Sequence, residues 1–201
     1  MSAIRVEELR KRYGEEEALR GISFEIEEGE VFGLLGPNGA GKTTTVEILE
    51  GYRTRDGGEV EVLGFDPQLV FLDEPTTGFD PAARRTAWEM IRSLRALGKT
   101  VLLTTHYLDE AQQLSDRVAV LREGRIVTIG APSVLTGGSV EAEIRYRRNG
   151  EQVVQRTTEP TRVLHELTAA ALARGEELEG LEVRRPSLED VYLSLVEEDE
   201  A

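Results

Sequence analysis

Three hydrophobic patterns follow one another along the chain. Ile4 to Leu9 and Leu19 to Ile26 interleave apolar and polar residues, which predicts strands with one buried face, and Glu27 to Glu30 reads as a turn. Glu59 to Leu63 alternates in the same way after the turn Asp56-Gly57-Gly58. The second pattern is the short continuous apolar run: Glu30 to Leu35, Leu69 to Leu72, and Thr100 to Thr105. Such runs predict strands buried on both faces, as in parallel sheets. The third has helical period. Trp88, Ile91, Leu94 and Leu97 predict a helix over Ala82 to Leu97 that places Trp88 in the core, with Asp80 as N-cap, Pro81 as first residue and Gly98 as stop. Shorter helices are expected over Thr44 to Glu50 and Tyr107 to Leu114, and a hairpin over Arg117 to Leu121 and Arg125 to Thr128.

From about Gly137 the pattern changes. Val140, Ala142, Ile144 and Tyr146 alternate with charged residues, and Asn149-Gly150 then separates this run from Gln152 to Thr157, a hairpin signal. A helix over Thr161 to Arg174 closed by Gly175, a strand over Leu178 to Val183, and a helix opened by the capping box at Ser187 and running to Leu195 complete a small ββαβα unit. His165 reads as a partly exposed structural residue, and Arg145, Arg147 and Arg148 as a solvated strand face in preference to an anion site. The chain therefore divides into a core, residues 1–134, and an α+β domain, residues 135–201.

The chemistry concentrates where the first buried strand ends. Gly36, Pro37, Asn38, Gly39, Ala40, Gly41, Lys42, Thr43 and Thr44 spell a glycine-rich phosphate loop between a strand and a helix. Its glycines let successive backbone N–H groups face phosphate oxygens, and the helix N-terminus adds positive potential. Lys42 would reach the β- and γ-phosphates, and the Thr43 hydroxyl would sit on Mg²⁺. The run Leu69 to Leu72 delivers Asp73 and Glu74 at a strand's C-terminal end, where open α/β sheets bind ligands. There Asp73 would hold Mg²⁺ through its water shell, and Glu74 is placed to orient or deprotonate a water. Tyr13 is either a half-buried strand residue or an aromatic that stacks on a base. His106 either contacts a γ-phosphate or is an N-cap or incidental polar residue.

Composition adds limits. The net charge is −14, with 24 Lys+Arg against 38 Asp+Glu, which argues against a nucleic-acid surface. Cysteine is absent, which fits a reducing compartment. The first residues lack the apolar stretch of a signal peptide, and no run is long enough to span a bilayer, so a membrane role needs a partner.

In their order, GPNGAGKTT, VFLDEPTTGFD and LLTTHYLDEA resemble the nucleotide-binding subunits of ABC transporters. The resemblance is strongest to the separate-chain ATPases of ABC-2-type exporters, such as drug-resistance ATPases. It covers Ile4 to about Pro132 and, more loosely, Arg185 to Tyr192. It implies an α/β P-loop NTPase core: a mostly parallel sheet flanked by helices, with an antiparallel N-terminal β layer. Tyr13 would then stack on adenine, Gly36 to Thr44 form Walker A, and Asp73 and Glu74 be the Walker B acid and catalytic glutamate. Asp80 would end the D-loop that meets a second subunit, and His106 would be the switch histidine. ATP, Mg²⁺, a second copy of the chain and an integral membrane permease subunit are the implied partners. The implied location is the cytoplasmic face of the plasma membrane.

The chain also departs from that family. Only 31 residues separate Lys42 from Asp73. In the family this interval is several times longer and carries a glutamine-bearing Q-loop, a helical subdomain and the LSGGQ signature. Gln68 belongs to the loop Gly64 to Gln68, upstream of the Q-loop, and Leu135-Thr-Gly-Gly-Ser139 lies on the wrong side of Walker B. The sequence reads as a family member joined near Gln68–Leu69 with an internal segment missing. Three functions follow: an ATP-hydrolysing export subunit with impaired turnover, a non-hydrolysing nucleotide-binding or interaction module, and a DNA-repair or chromosome ATPase of the same superfamily. The acidic balance argues against the third.

Overall fold

A computed structural model describes residues 1–63, 68–136, 142–148, 150–184 and 188. It divides into two compact units, Met1–Pro132 and Ser133–Ala201.

In the first unit, β1 (Ser2–Tyr13) pairs antiparallel with β2 (Glu16–Glu27) on one side and with β4 (Gly57–Val62) on the other. Alternation along β1 buries Ile4 and Val6 on one face, and an irregularity between Val6 and Leu9, where Glu8 has φ 48°, brings Leu9 into the same core. A second sheet runs in the order β5 (Leu69–Asp73), β6 (Thr100–Thr105), β3 (Val31–Leu35), β7 (Arg117–Arg122), β8 (Arg125–Gly130). Its first four strands are parallel and β8 returns antiparallel to β7.

The continuous apolar runs are explained by what covers each face. Leu102 packs into the large core with Ile4, Leu9, Phe24, Phe32, Leu34 and helix α1 (Lys42–Leu49). Its neighbour Leu103 points the other way, onto Ile91 of α2 (Pro81–Ala96) and Leu114 of α3 (Leu108–Leu114). Phe24 stacks on Phe32 at 5.4 Å between ring centres, which joins the antiparallel layer to the parallel sheet.

Two expectations are corrected. The run Leu69 to Leu72 is only partly buried, because β5 is the edge of its sheet and has β6 on one side alone. The stripe on α2 does not stay in the core to its end. Trp88 and Ile91 pack inward, whereas Leu97 is the C-cap and 72% exposed. Met90, one residue before Ile91, is exposed as well. The N-cap behaves as expected: Asp80 Oδ1 accepts from the N–H groups of Ala82 and Ala83 at 2.8 and 2.9 Å.

A single turn, α4 (Pro132–Leu135), lies at the division. In the second unit β9 (Ala142–Arg148) is central, flanked by β10 (Glu151–Thr157) and β11 (Glu179–Arg184), all antiparallel. Arg148 faces Glu151, the register of a tight hairpin. Ile144 and Tyr146 pack on Val163 of α5 (Pro160–Arg174), which ends at left-handed Gly175. His165 is exposed on α5. Residues 64–67 of the expected loop Gly64 to Gln68, residues 137–139 of the expected linker Leu135 to Ser139, and the last helix apart from Leu188 lie outside the described residues.

Candidate functional site: a phosphate loop facing two strand-end carboxylates

The register of the parallel sheet assembles the site. Leu35 of β3 pairs with Thr105 of β6, and Asp73 of β5 pairs with Thr104. Three C-terminal strand ends therefore lie side by side, and the residues that follow them are Gly36, Glu74 and His106. An open cleft of about 350 Å³ forms there, lined by Ala18, Asn38, Gly39, Gly41, Lys42, Thr43, Thr44, Asp73 and Glu74.

The loop is shaped so that only glycine fits at two points. A Cβ on Gly36 would lie 2.3 Å from the Leu121 carbonyl oxygen. Gly41 is the N-cap of α1 at φ 107°, and a Cβ there would lie 2.7 Å from the Ala18 carbonyl oxygen. No side chain caps α1. Its first N–H groups, which have no partner within the helix, are thus left for an anion. Thr43 is exposed at this end.

Lys42 is almost fully buried and turned back on its own loop. Its ammonium donates to the carbonyls of Gly36 at 2.8 Å and Pro37 at 3.1 Å, and it pairs with Glu74 Oε1 at 3.1 Å. Glu74 Oε2 is 3.2 Å from His106 Nδ1, at hydrogen-bond distance but without its alignment, and accepts from Thr77 Oγ1 at 3.2 Å. Burial alone would raise the Glu74 pKa. The Lys42 ammonium, with His106 adding to it, more than offsets this and holds the carboxyl below its ordinary range. Lys42, Glu74 and His106 thus form one connected chain of groups.

Glu74 has a positive φ of 46°, a left-handed conformation that non-glycine residues adopt at a cost of about 1–3 kcal/mol. Thr104 helps to hold it. Its backbone carbonyl and its Oγ1 both accept from Glu74 N–H, at 3.1 and 3.0 Å, while the hydroxyl donates to Asp73. Thr104 was not singled out by sequence. Its signal is two threonines ending the apolar run before His106, and its partners Glu74 and Asp73 lie 30 and 31 residues away.

Tyr13 does not line the cleft. The residue is 40% exposed, and its ring has the Arg53 guanidinium 5.1 Å and the Lys11 ammonium 5.7 Å from its centre. Asp80 caps α2 and is exposed.

The groups present fit a Mg²⁺-nucleotide. The glycine cradle would be filled by any side chain, and Thr43 and Asp73 bring hard oxygen donors to the same cleft. Among the described residues no cluster of three or more His, Asp or Glu could hold a metal by itself. That suits an ion bound by one or two protein oxygens together with substrate phosphates.

Fold and loop together define a P-loop ATP-binding cassette. The ABC transporter family model matches residues 19–68. The chain is 30% identical to Nod factor export ATP-binding protein I of Paraburkholderia xenovorans over 229 aligned positions, covering 71% of this chain and 75% of that one. It is 29% identical to daunorubicin resistance ATP-binding protein DrrA2 of Streptomyces coeruleorubidus, with 96% and 94% covered. A nucleotide-free ATP-binding cassette from an ABC transporter superposes with a TM-score of 0.60 at 18% identity, covering 65% of this chain and 92% of that one. For cbiO1 of Clostridium perfringens, part of an ABC transporter complex, the TM-score is 0.61 at 20% identity, with 67% and 90% covered. The chain belongs to the ATP-binding proteins of ABC transporters.

The comparisons also bear on the short interval. The alignment to the daunorubicin resistance protein runs over 304 positions against 201 residues here, so that relative carries residues without a counterpart in this chain. The family-model match stops at Gln68, the residue where the sequence reads as joined.

Proposed function

We propose that this chain is the ATP-binding subunit of an export transporter, hydrolysing Mg·ATP to drive a separate integral membrane permease. The observation that carries this reading is the convergence of Lys42, Asp73 and Glu74 on one cleft beside an uncapped helix N-terminus, with His106 3.2 Å from Glu74. The names of the relatives, Nod factor export and daunorubicin resistance, support export. Among the described residues no helix is long and apolar enough to cross a membrane, so the reading needs a membrane partner. It puts the chain at the cytoplasmic face of the plasma membrane, working as a homodimer. Residues 1–134 form the nucleotide-binding core, and residues 135–201 an accessory domain for dimer contact or regulation.

Each residue has a defined task. Thr43 and Asp73 would hold Mg²⁺, which when bound neutralises charge on the β- and γ-phosphates. Lys42 exchanges Glu74 and two loop carbonyls for phosphate oxygens. Released from Lys42, the Glu74 carboxylate orients a water for attack in line with the γ-phosphorus and accepts its proton. The water oxygen bonds to phosphorus, the bond to the β,γ-bridging oxygen breaks, and ADP departs. His106, beside Glu74, would contact the γ-phosphate.

Turnover is reduced in this reading. The resemblance implies that a partner's signature loop donates hydrogen bonds to the γ-phosphate, and this chain has no such loop. Losing positioned donors costs about 10²–10³ in rate. The same absence favours a second reading, a non-hydrolysing nucleotide-binding module. Steady-state phosphate release from Mg·ATP over a range of protein concentrations separates the two, with Glu74→Gln as control. Release that rises faster than linearly with protein and vanishes in Glu74→Gln supports hydrolysis by dimers. Release equal to the control leaves the binding module.

A further inference from the structure

One buried carboxylate has no task in the mechanism above. Glu110, in α3, is fully buried, yet among the described residues no lysine or arginine forms an ion pair with it. A single oxygen, Oε1, accepts from the Thr76 hydroxyl at 2.7 Å and from the Trp88 indole N–H at 2.9 Å. Oε2 is buried without a hydrogen-bond partner. Thr76 is itself fully buried.

The three residues belong to the three segments that frame the site. Thr76 lies two residues beyond Glu74 in a turn closed by Thr77 N–H to Glu74 O and Phe79 N–H to Thr76 O, both 3.1 Å. Trp88 is in α2, which that turn leads into, and Glu110 is in α3, which begins two residues after His106. Glu74 holds a left-handed backbone that persists only where its surroundings enforce it. Thr104 fixes one side of Glu74, and the Thr76 anchor fixes the other.

We propose that Glu110 is a positioning residue for ATP hydrolysis: one oxygen ties the Glu74 turn to α2 and to the helix that follows His106, and so holds Glu74 in register with Lys42 and His106. This rests on the hydrolytic reading given above. Its chemistry is that of an acceptor. A glutamine at 110 keeps an oxygen for both donors and puts its amide where Oε2 has no partner.

The test compares Thr76→Val, Glu110→Ala and Glu110→Gln with wild type, all in the full chain. The readouts are kcat and KM for Mg·ATP and the NMR resonance of the indole N–H, which is unique because Trp88 is the only tryptophan. Thr76→Val and Glu110→Ala should lower kcat about 10- to 100-fold, as expected when a reacting group is displaced by an ångström. KM should stay within about threefold, because the phosphate loop is untouched. Glu110→Gln should keep kcat within about threefold of wild type. The indole resonance should move in Glu110→Ala and return towards the wild-type position in Glu110→Gln. Equal kcat in wild type and Thr76→Val, or a glutamine variant as slow as the alanine one, overturns the proposal. Thr76→Val removes one hydroxyl at constant shape, so it decides the matter even where Glu110→Ala fails to fold. Absence of turnover in wild type would refute the hydrolytic reading instead. The indole N–H then remains the readout: a shift on Mg·ATP binding that Thr76→Val abolishes supports the anchor, and no shift in nucleotide-saturated wild type overturns it.

Discussion

The Lys42 ammonium lies 3.1 Å from the Glu74 carboxylate, so the phosphate-binding cation and the water-activating base neutralise one another before nucleotide arrives. The pair is internal competition: phosphate oxygens must replace Glu74 on Lys42. Removing the competitor should tighten binding even of a nucleotide that cannot be hydrolysed. Glu74→Gln is expected to bind ADP about fivefold more tightly than wild type, equivalent to about 1 kcal/mol. Titration calorimetry checks this, and equal affinities would contradict it.

The same pair predicts a pH dependence with a defined sign. The Glu74 pKa is lowered in the folded chain, so its stabilising contribution is present above the unfolded carboxylate's pKa and is lost as pH falls through the folded value. The affinity gap between Glu74→Gln and wild type should therefore close in acid, where Glu74 is protonated and no longer holds Lys42. A gap that widens in acid would refute the assignment.

Glu30 has the opposite sign. It is buried just before β3, and that burial, opposed by the Glu27 N–H and by Arg117, raises its pKa above the ordinary 4.5. A raised acid favours folding below the unfolded pKa, and this contribution is lost as pH rises through the folded value. The melting temperature of Glu30→Gln relative to wild type should therefore rise between acid and neutral pH. A constant difference would show that Glu30 ionises in the folded chain as it does in the unfolded one.

Gly36→Ala tests the cradle. A Cβ there meets the Leu121 backbone oxygen at 2.3 Å, and backbone cannot rotate away as a side chain can. A loss of about 1–3 kcal/mol is expected from such overpacking, together with weaker nucleotide binding. Denaturant unfolding measures the first, and a variant as stable as wild type would mean that the loop has slack at this point.

The phosphate loop was legible because its information is local: strand, glycines, lysine and helix are consecutive. The α2 cap at Asp80 was legible for the same reason. What escaped depends on neighbours far along the chain. Thr104 reaches Asp73 and Glu74 only because β5 and β6 are paired, and Glu110 joins Thr76 and Trp88 only because α2 and α3 meet over one face of the sheet. The apolar run of β5 suggested full burial, but composition cannot say whether a strand has one neighbour or two. Leu97 fits the helical stripe by spacing, yet it falls where the helix has already ended.

The central claim is that this chain has a working phosphate loop, and equilibrium binding of Mg·ATP to wild type and Lys42→Ala tests it most directly. The account predicts saturable binding near one nucleotide per chain in wild type and a loss of affinity of at least about tenfold in Lys42→Ala, which removes the charged donor to the phosphates. Equal binding by the two proteins, or none by a folded wild-type chain, would contradict it.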